Sequence, residues 1–255
     1  MKKMRRLIPA IAMLLVSAVM LSTASFAWFT ISTSTQVTGM EVTAVAGSSL
    51  LIVDAKETPD ESDFKTANGI LPLGAVPTAL QPATSEDGVM KTVDPKTVDP
   101  ATGLATGALT TDGVTEANNY YYDYVVAIGS AGAATTGKLV ATINPDSFTK
   151  TLHNAVSVDF LLATTKAGTS TYIDKVHFDE SANGANDLEV VLGDNVTSPL
   201  AVTEDGALND YIVITMRVYF DGALTNDAEA GTTYVRNYYM TDDPIGFDVT
   251  FDIEE

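Results

Sequence analysis

The sequence predicts an all-β protein: a jelly-roll-like antiparallel β-sandwich with a long loop insertion, preceded by an N-terminal signal or transmembrane helix. Three observations lead there. Beyond residue 30 the apolar residues recur with period two rather than 3.6. The runs number about ten and are separated by Gly, Asn, Asp and Pro turns. The chain also opens with a basic cluster and an apolar run.

Taken in order, Lys2, Lys3, Arg5 and Arg6 form the basic start, and residues 7–21 are apolar apart from Ser17, with Pro9 near the beginning. Ser25 and Ala27 then stand in the small-x-small relation that signal peptidase needs, which predicts cleavage after Ala27. The competing reading is an uncleaved anchor. Residues 7–29 are 23 in number, long enough for a hydrocarbon core of about 30 Å at about 1.5 Å per residue. Trp28 and Phe29 would then sit at the interface. Either way residues 28–255 form one sandwich domain outside the cytoplasm, touching membrane only through the N-terminal segment.

Strands are expected at 35–44 and 49–54. Residues 55–118 are rich in Pro, Gly, Thr, Ala and Asp and read as an exposed, loop-rich insertion. Within it Lys91-Thr92-Val93-Asp94-Pro95 is duplicated as Lys96-Thr97-Val98-Asp99-Pro100, and Leu71-Pro72-Leu73-Gly74 reads as loop. Short helices are expected near 60–67 and 145–154. Further strands follow at 120–128, 138–144, 172–178, 188–192 and 235–240. Val156, Val158, Phe160 and Leu162 mark another. The clearest run is 211–220, where Ile212, Ile214, Met216, Val218 and Phe220 face one way and Tyr211, Val213, Thr215, Arg217 and Tyr219 the other. The last alternates Phe247, Val249, Phe251 and Ile253 with Asp248, Thr250, Asp252 and Glu254, a half-buried strand with an acidic outer face.

Composition removes several functions. There is no Cys, which rules out a disulfide scaffold, a Cys zinc site and a Cys nucleophile. The net charge is −19; removing residues 1–27 takes away four positive charges and no negative one, giving −23. Such a surface repels a phosphate backbone, so no nucleic-acid partner is expected. His153 and His177 are the only histidines, and no G-x-S-x-G, H-E-x-x-H, P-loop or G-x-G-x-x-G motif occurs. No catalytic residue is assigned, and a non-enzymatic protein is expected.

Asp179, Ser181, Asn183 and Asp187 cluster oxygen ligands at calcium-loop spacing. Position twelve is Val190, with Glu189 one place early, and the flanks are strands; this breaks the EF-hand pattern and leaves only a loose calcium turn. No other cofactor is expected. Tyr120, Tyr121, Tyr122, Tyr124, Tyr238 and Tyr239 could stack on sugar rings, or alternate between core and surface.

The segment after the cleavage site is the most informative. Phe29, Ile31, Thr33, Thr35 and Val37 share one parity; Thr30, Ser32, Ser34, Gln36 and Thr38 share the other. Such a strand must pair within its own sheet or complete the sheet of a neighbouring copy. The second option is head-to-tail and does not close, so it yields a filament with the chain itself as partner. Trp28, Phe29, Ile31 and Val37 are the residues assigned to the donated strand.

The basic start, apolar run and small-residue site lead to Ala27-Trp28-Phe29-Thr30 and then Val37-Thr38-Gly39-Met40-Glu41-Val42. With the closing Gly246-Phe247-Asp248-Val249-Thr250-Phe251, this resembles the TasA/camelysin-type secreted proteins of Gram-positive bacteria. The resemblance covers the first 45 residues and about the last ten. It implies a jelly-roll subunit that polymerises by donor-strand complementation into biofilm matrix fibres, with other matrix or surface proteins as further partners. The metalloprotease activity attached to the camelysin name finds no ligand motif. The alternatives are a membrane-anchored surface adhesin that binds glycan through its Tyr-rich strands, and a secreted carbohydrate-active enzyme. Intact mass of the native protein is expected to begin at Trp28; a chain retaining Met1 or Lys2 would establish the anchor instead.

Overall fold

The computed structural model describes residues 41–46, 50–67, 70–75, 80–93, 109–130, 132–144, 156–177, 188–221 and 246–254. Its elements are β1 (Glu41–Ala46), β2 (Leu50–Asp54), α1 (Glu61–Thr66), β3 (Ile70–Ala75), β4 (Pro82–Glu86), β5 (Val89–Val93) and β6 (Leu109–Thr110). A 3-10 turn (Glu116–Asn118) precedes β7 (Tyr122–Ser130), β8 (Thr135–Asn144), β9 (Val156–Ala163), β10 (Thr171–His177), β11 (Leu188–Ser198), β12 (Ile212–Asp221) and β13 (Gly246–Glu254). The all-β class is as the period-two pattern requires.

One sheet has the order β11-β8-β13-β1-β3. The other runs β10-β9-β12-β7-β2; β4 joins β12 at Phe220 and Asp221, beyond the end of β7, and carries β5 and β6 outward. The expectation of an antiparallel sandwich needs correction, because both sheets are mixed. β1 runs parallel to β13 from Glu41↔Gly246 to Ala46↔Phe251, and β4 runs parallel to β12. Parallel neighbours cannot be joined by a hairpin, so these pairs bring together segments far apart in the chain.

A single core lies between the sheets. Phe247, Val249, Phe251 and Ile253 of β13 meet Leu139, Ala141 and Ile143 of β8 on one side. Val158 and Phe160 of β9 and Ile212, Ile214, Met216 and Val218 of β12 close it from the other. Burying each of these side chains other than that of Ala141 is worth about 1.5–3 kcal/mol over leaving it exposed. The two faces expected for 211–220 are the two observed. The second face of β12 is also covered: Tyr211 packs with Val53, Phe64, Ala127 and Ala201, and Tyr219 with Ala83, Met90 and Val114.

Most expected elements coincide with observed ones, with β11 and β8 longer than expected. The helix expected at 60–67 is α1. Asp60 caps it, accepting from the Ser62 and Asp63 amides at 2.7 and 3.3 Å, while Asp63 accepts from the Asp60 amide at 2.8 Å. Residues 35–40, 145–154 and 235–240 fall outside the described residues. Segment 55–118, expected as loop-rich, carries α1 and β3 to β6 and buries Phe64, Leu80, Ala83, Met90 and Val114. Leu71-Pro72-Leu73-Gly74 is strand β3 rather than loop, because β1 offers it a partner from Glu41 to Val45. Of the duplicated motif, Lys91 to Val93 belong to β5 and the remainder lies outside the described residues.

Gly129 on β7 lets the segment after β11 close in, where the Ser130 amide donates to Pro199 O at 2.8 Å and the Ala201 amide to Ser130 O at 3.2 Å. A Cβ on Gly129 would stand 2.6 Å from Ala201 Cβ. Gly129→Ala is therefore expected to cost about 1–3 kcal/mol in denaturant unfolding. Gly132→Ala, with nothing within 4 Å of the new Cβ, is expected to leave stability nearly unchanged.

Candidate functional site

Two features of the described residues can support function: a polar network beneath the β4–β5 hairpin, and the outer edges of the sheets.

The network arises because β9 alternates apolar residues toward the core with Ser157 and Asp159 on the opposite face. Neighbouring strands bring Lys175 and His177 from β10, and Arg217, Tyr219 and Asp221 from β12, alongside. The β4–β5 hairpin lies over this face. Its turn residues Asp87 and Gly88 both have positive φ, 51° and 78°, as a two-residue type I′ loop demands. Asp159 is fully buried and accepts hydrogen bonds from Ser85 Oγ of the hairpin and, at 3.1 Å, from the Tyr219 hydroxyl. Burial pushes the Asp159 carboxyl up from its ordinary value of 3.8, against these two bonds, which hold it down. Burial, then the Asp159 charge, raises the Tyr219 phenol well above its usual range.

Arg217 locks the hairpin from the other side. Its guanidinium forms a two-point pair with Asp123 at 2.8 Å for both bonds, donates to Gly88 O at 3.3 Å, and stacks 4.2 Å from the Tyr121 ring centroid. Burial works against its charge, but the Asp123 bond and charge outweigh it, and the Arg217 pKa is raised.

Ser157, His177 and Asp221 form a serine–histidine–aspartate contact of unusual order. Ser157 Oγ donates to Asp221 Oδ2 at 3.2 Å and lies 2.8 Å from His177 Nδ1. Which atom donates in the second contact depends on the tautomer of the ring. A nucleophilic relay needs a hydroxyl that a substrate can reach. Ser157 is fully buried. Lys175 Nζ stands 3.7 Å from Asp221 Oδ2. The arrangement ties β9, β10 and β12 together. Among the described residues no group of three or more His, Asp and Glu could hold a metal ion.

The tyrosines singled out as sugar platforms are engaged internally. Tyr124 is buried and donates to Gly74 O at 3.0 Å. Tyr122 packs edge-on to it at 4.9 Å and carries Lys56 Nζ 4.2 Å from its ring centroid. Tyr121 lies against Arg217, and Tyr120 packs beside Tyr219. Trp28, Phe29, Ile31 and Val37, the cleavage residues Ser25 and Ala27, and the calcium candidates Asp179, Ser181, Asn183 and Asp187 all lie outside the described residues, as do His153, Tyr238 and Tyr239.

The sheet edges differ sharply. β3 has Pro72, which lacks an amide hydrogen, and a bulge at Leu73 and Gly74. β11 slips register twice, between Val191 and Gly193 and between Gly193 and Val196; β10 slips between Tyr172 and Asp174. β2 alone of these four keeps unbroken register, from Leu50↔Ser130 to Asp54↔Val126. The Ala55 amide donates to Val125 O at 2.8 Å, which makes Leu51 and Val53 the residues that exchange bonds with β7. Leu50, Ile52 and Asp54 therefore turn their main-chain N–H and C=O outward, and among the described residues none bonds to those groups.

Comparison with known proteins gives no match to any family model, curated protein or solved structure. Among the described residues no helix is long and apolar enough to cross a membrane.

The raised Asp159 pKa fixes the sign of a pH effect. A carboxyl that binds its proton more tightly when folded contributes stability below the unfolded value of about 3.9, and loses it as pH rises through the folded value. Asp159→Asn is thus expected to gain on the parent protein as pH rises from below that value to neutrality, read by melting temperature across pH. A constant difference would show that the ionised carboxylate bears no burial cost. Asp159→Ala, which strands the Ser85 and Tyr219 hydroxyls, is expected to cost about 1–3 kcal/mol.

Proposed function

We propose that this chain is a secreted structural subunit of an extracellular or cell-surface fibre, polymerising by donation of its N-terminal strand to the next copy. The supporting observation is where that strand would be rooted. The alternating segment 29–38 runs directly into β1, and β1 is an interior strand, paired with β13 on one side and β3 on the other. A donated arm transmits the pull of the next subunit to its root. Tension entering at Glu41 meets the β1–β13 bonds side by side, from Glu41↔Gly246 to Ala46↔Phe251, so they share the load in shear instead of opening one at a time.

Two further features agree. The chain passes repeatedly between the sheets, as the jelly-roll route in this reading requires. Its charge of −23 after loss of residues 1–27 keeps monomers apart in solution. The resemblance to TasA/camelysin-type proteins points to a biofilm matrix as the setting. Non-enzymatic action, export and cleavage after Ala27 belong to the same proposal. The internal engagement of Tyr120 to Tyr124 weighs against the glycan-binding alternative.

Removing residues 28–38 from the mature chain is expected to leave a folded monomer with an unchanged β-rich circular dichroism spectrum and no fibres by negative-stain microscopy. Fibres at unchanged yield would contradict the proposal.

A further inference from the structure

We propose that the β4–β5 hairpin is an acid-tightened latch: it closes over Asp159 while that carboxyl holds a proton, and loosens as the proton leaves. The latch works within one chain and needs no second copy.

The hairpin is hinged at its root and held beyond it by side chains. β4 joins β12 through Phe220↔Pro82 and Asp221↔Ala83. From Thr84 to Glu86 it pairs with β5 alone among the described residues. Toward the tip, Ser85 Oγ bonds Asp159 and Arg217 Nη1 donates to Gly88 O at 3.3 Å. The Tyr172 side chain lies against Gly88, where an added Cβ would stand 2.9 Å from Tyr172 Cβ. Ala83 and Met90 pack with Tyr219 and Val114 in a small cluster apart from the main core. A two-stranded ribbon is marginally stable in water by itself. Segments with few buried apolar contacts open locally, before the rest of the fold.

Closure changes the surroundings of Asp159. Beneath the hairpin it is 0% exposed. A carboxylate taken out of water loses hydration, so the closed hairpin favours the protonated form and opening restores the ionised one. The groups that face Asp159 are Tyr172 and Lys175 from β10, Arg217, Tyr219 and Asp221 from β12, and Asp123 of β7 through Arg217. Lys175 and Arg217 favour ionisation, but Lys175 stands 3.7 Å from Asp221 and Arg217 is paired at two points with Asp123. On the hairpin, Glu86 and Lys91 pair with each other and Asp87 is exposed at the turn. Burial remains the largest influence, and the Asp159 carboxyl is raised from its ordinary value. The closed form therefore binds the proton more tightly than the open one. Its extra stability is complete below the ordinary carboxyl value of about 3.9 and is lost as pH rises through the closed form's value.

Hydrogen–deuterium exchange of the whole protein, corrected for intrinsic exchange at each pH, reads the latch between about pH 4 and about pH 8. The opening constant at amides 84–91 is expected to rise with pH, by up to about tenfold per unit, while β8 and β13 stay protected. In Asp159→Asn, which keeps the shape and cannot ionise, that rise is expected to vanish. Histidine ordinarily titrates near neutrality, and His177 lies 2.8 Å from Ser157 on the same face, so His177→Gln is measured alongside and is expected to keep the rise. A hairpin whose opening is independent of pH would overturn the latch. So would an unchanged rise in Asp159→Asn, loss of the rise in His177→Gln, or a rise shared by β8 and β13. The parent and His177→Gln profiles decide the outcome even if Asp159→Asn does not fold.

Discussion

The pairing of the first described strand with the last is the constraint on which the fold turns. β1 and β13 run side by side in the same direction for six residues, and β1 in turn carries β3. Without that pairing, one sheet would end at β13 with its edge bare, and the segment upstream of Glu41 would have no fixed root. Because parallel neighbours need a long crossover, the pair is also the most non-local contact in the sheet, joining residues 41–46 to residues 246–251. The sandwich therefore closes only when the C-terminal strand is present.

The second constraint is chemical. The outer face of the β12 sheet holds groups that would be costly to bury alone: Asp159, Ser157, Asp221 and Arg217. Each is met by a partner from another element, and the β4–β5 hairpin supplies two of those partners through Ser85 and Gly88. The network explains why the β4–β5 hairpin docks on the sandwich, and its histidine–serine–aspartate contact ties β9, β10 and β12 together.

Much of this was legible in the sequence, for a definite reason. Strands 211–220 and 247–253 alternate so strictly that only one face of each can enter the core, and the structure places Ile212 to Phe220 and Phe247 to Ile253 accordingly. The 60–67 helix was legible because Asp60 and Asp63 stand at capping-box spacing. The strands of 55–118 were masked by their composition: Pro72 and Gly74 read as loop, yet an edge strand tolerates both where a bulge absorbs them. One usable signal was present there. Asp87-Gly88 between short β-prone runs marks a tight hairpin turn, and that hairpin is the one that covers Asp159. The parallel β1–β13 register was not legible, since alternation fixes which face is buried but not which strand lies alongside. The network was not legible, because alternation with Val156, Val158 and Phe160 puts Ser157 and Asp159 on the second face of β9 but carries no sign that another layer covers that face.

The central claim is that one segment of this chain finds its hydrogen-bond partners in another molecule. Hydrogen–deuterium exchange on dilute mature monomer and on assembled material measures this directly at the amides of residues 29–37. Those amides are expected to exchange freely in the monomer and to become protected on assembly. Equal protection in both states, whether low or high, would contradict the account.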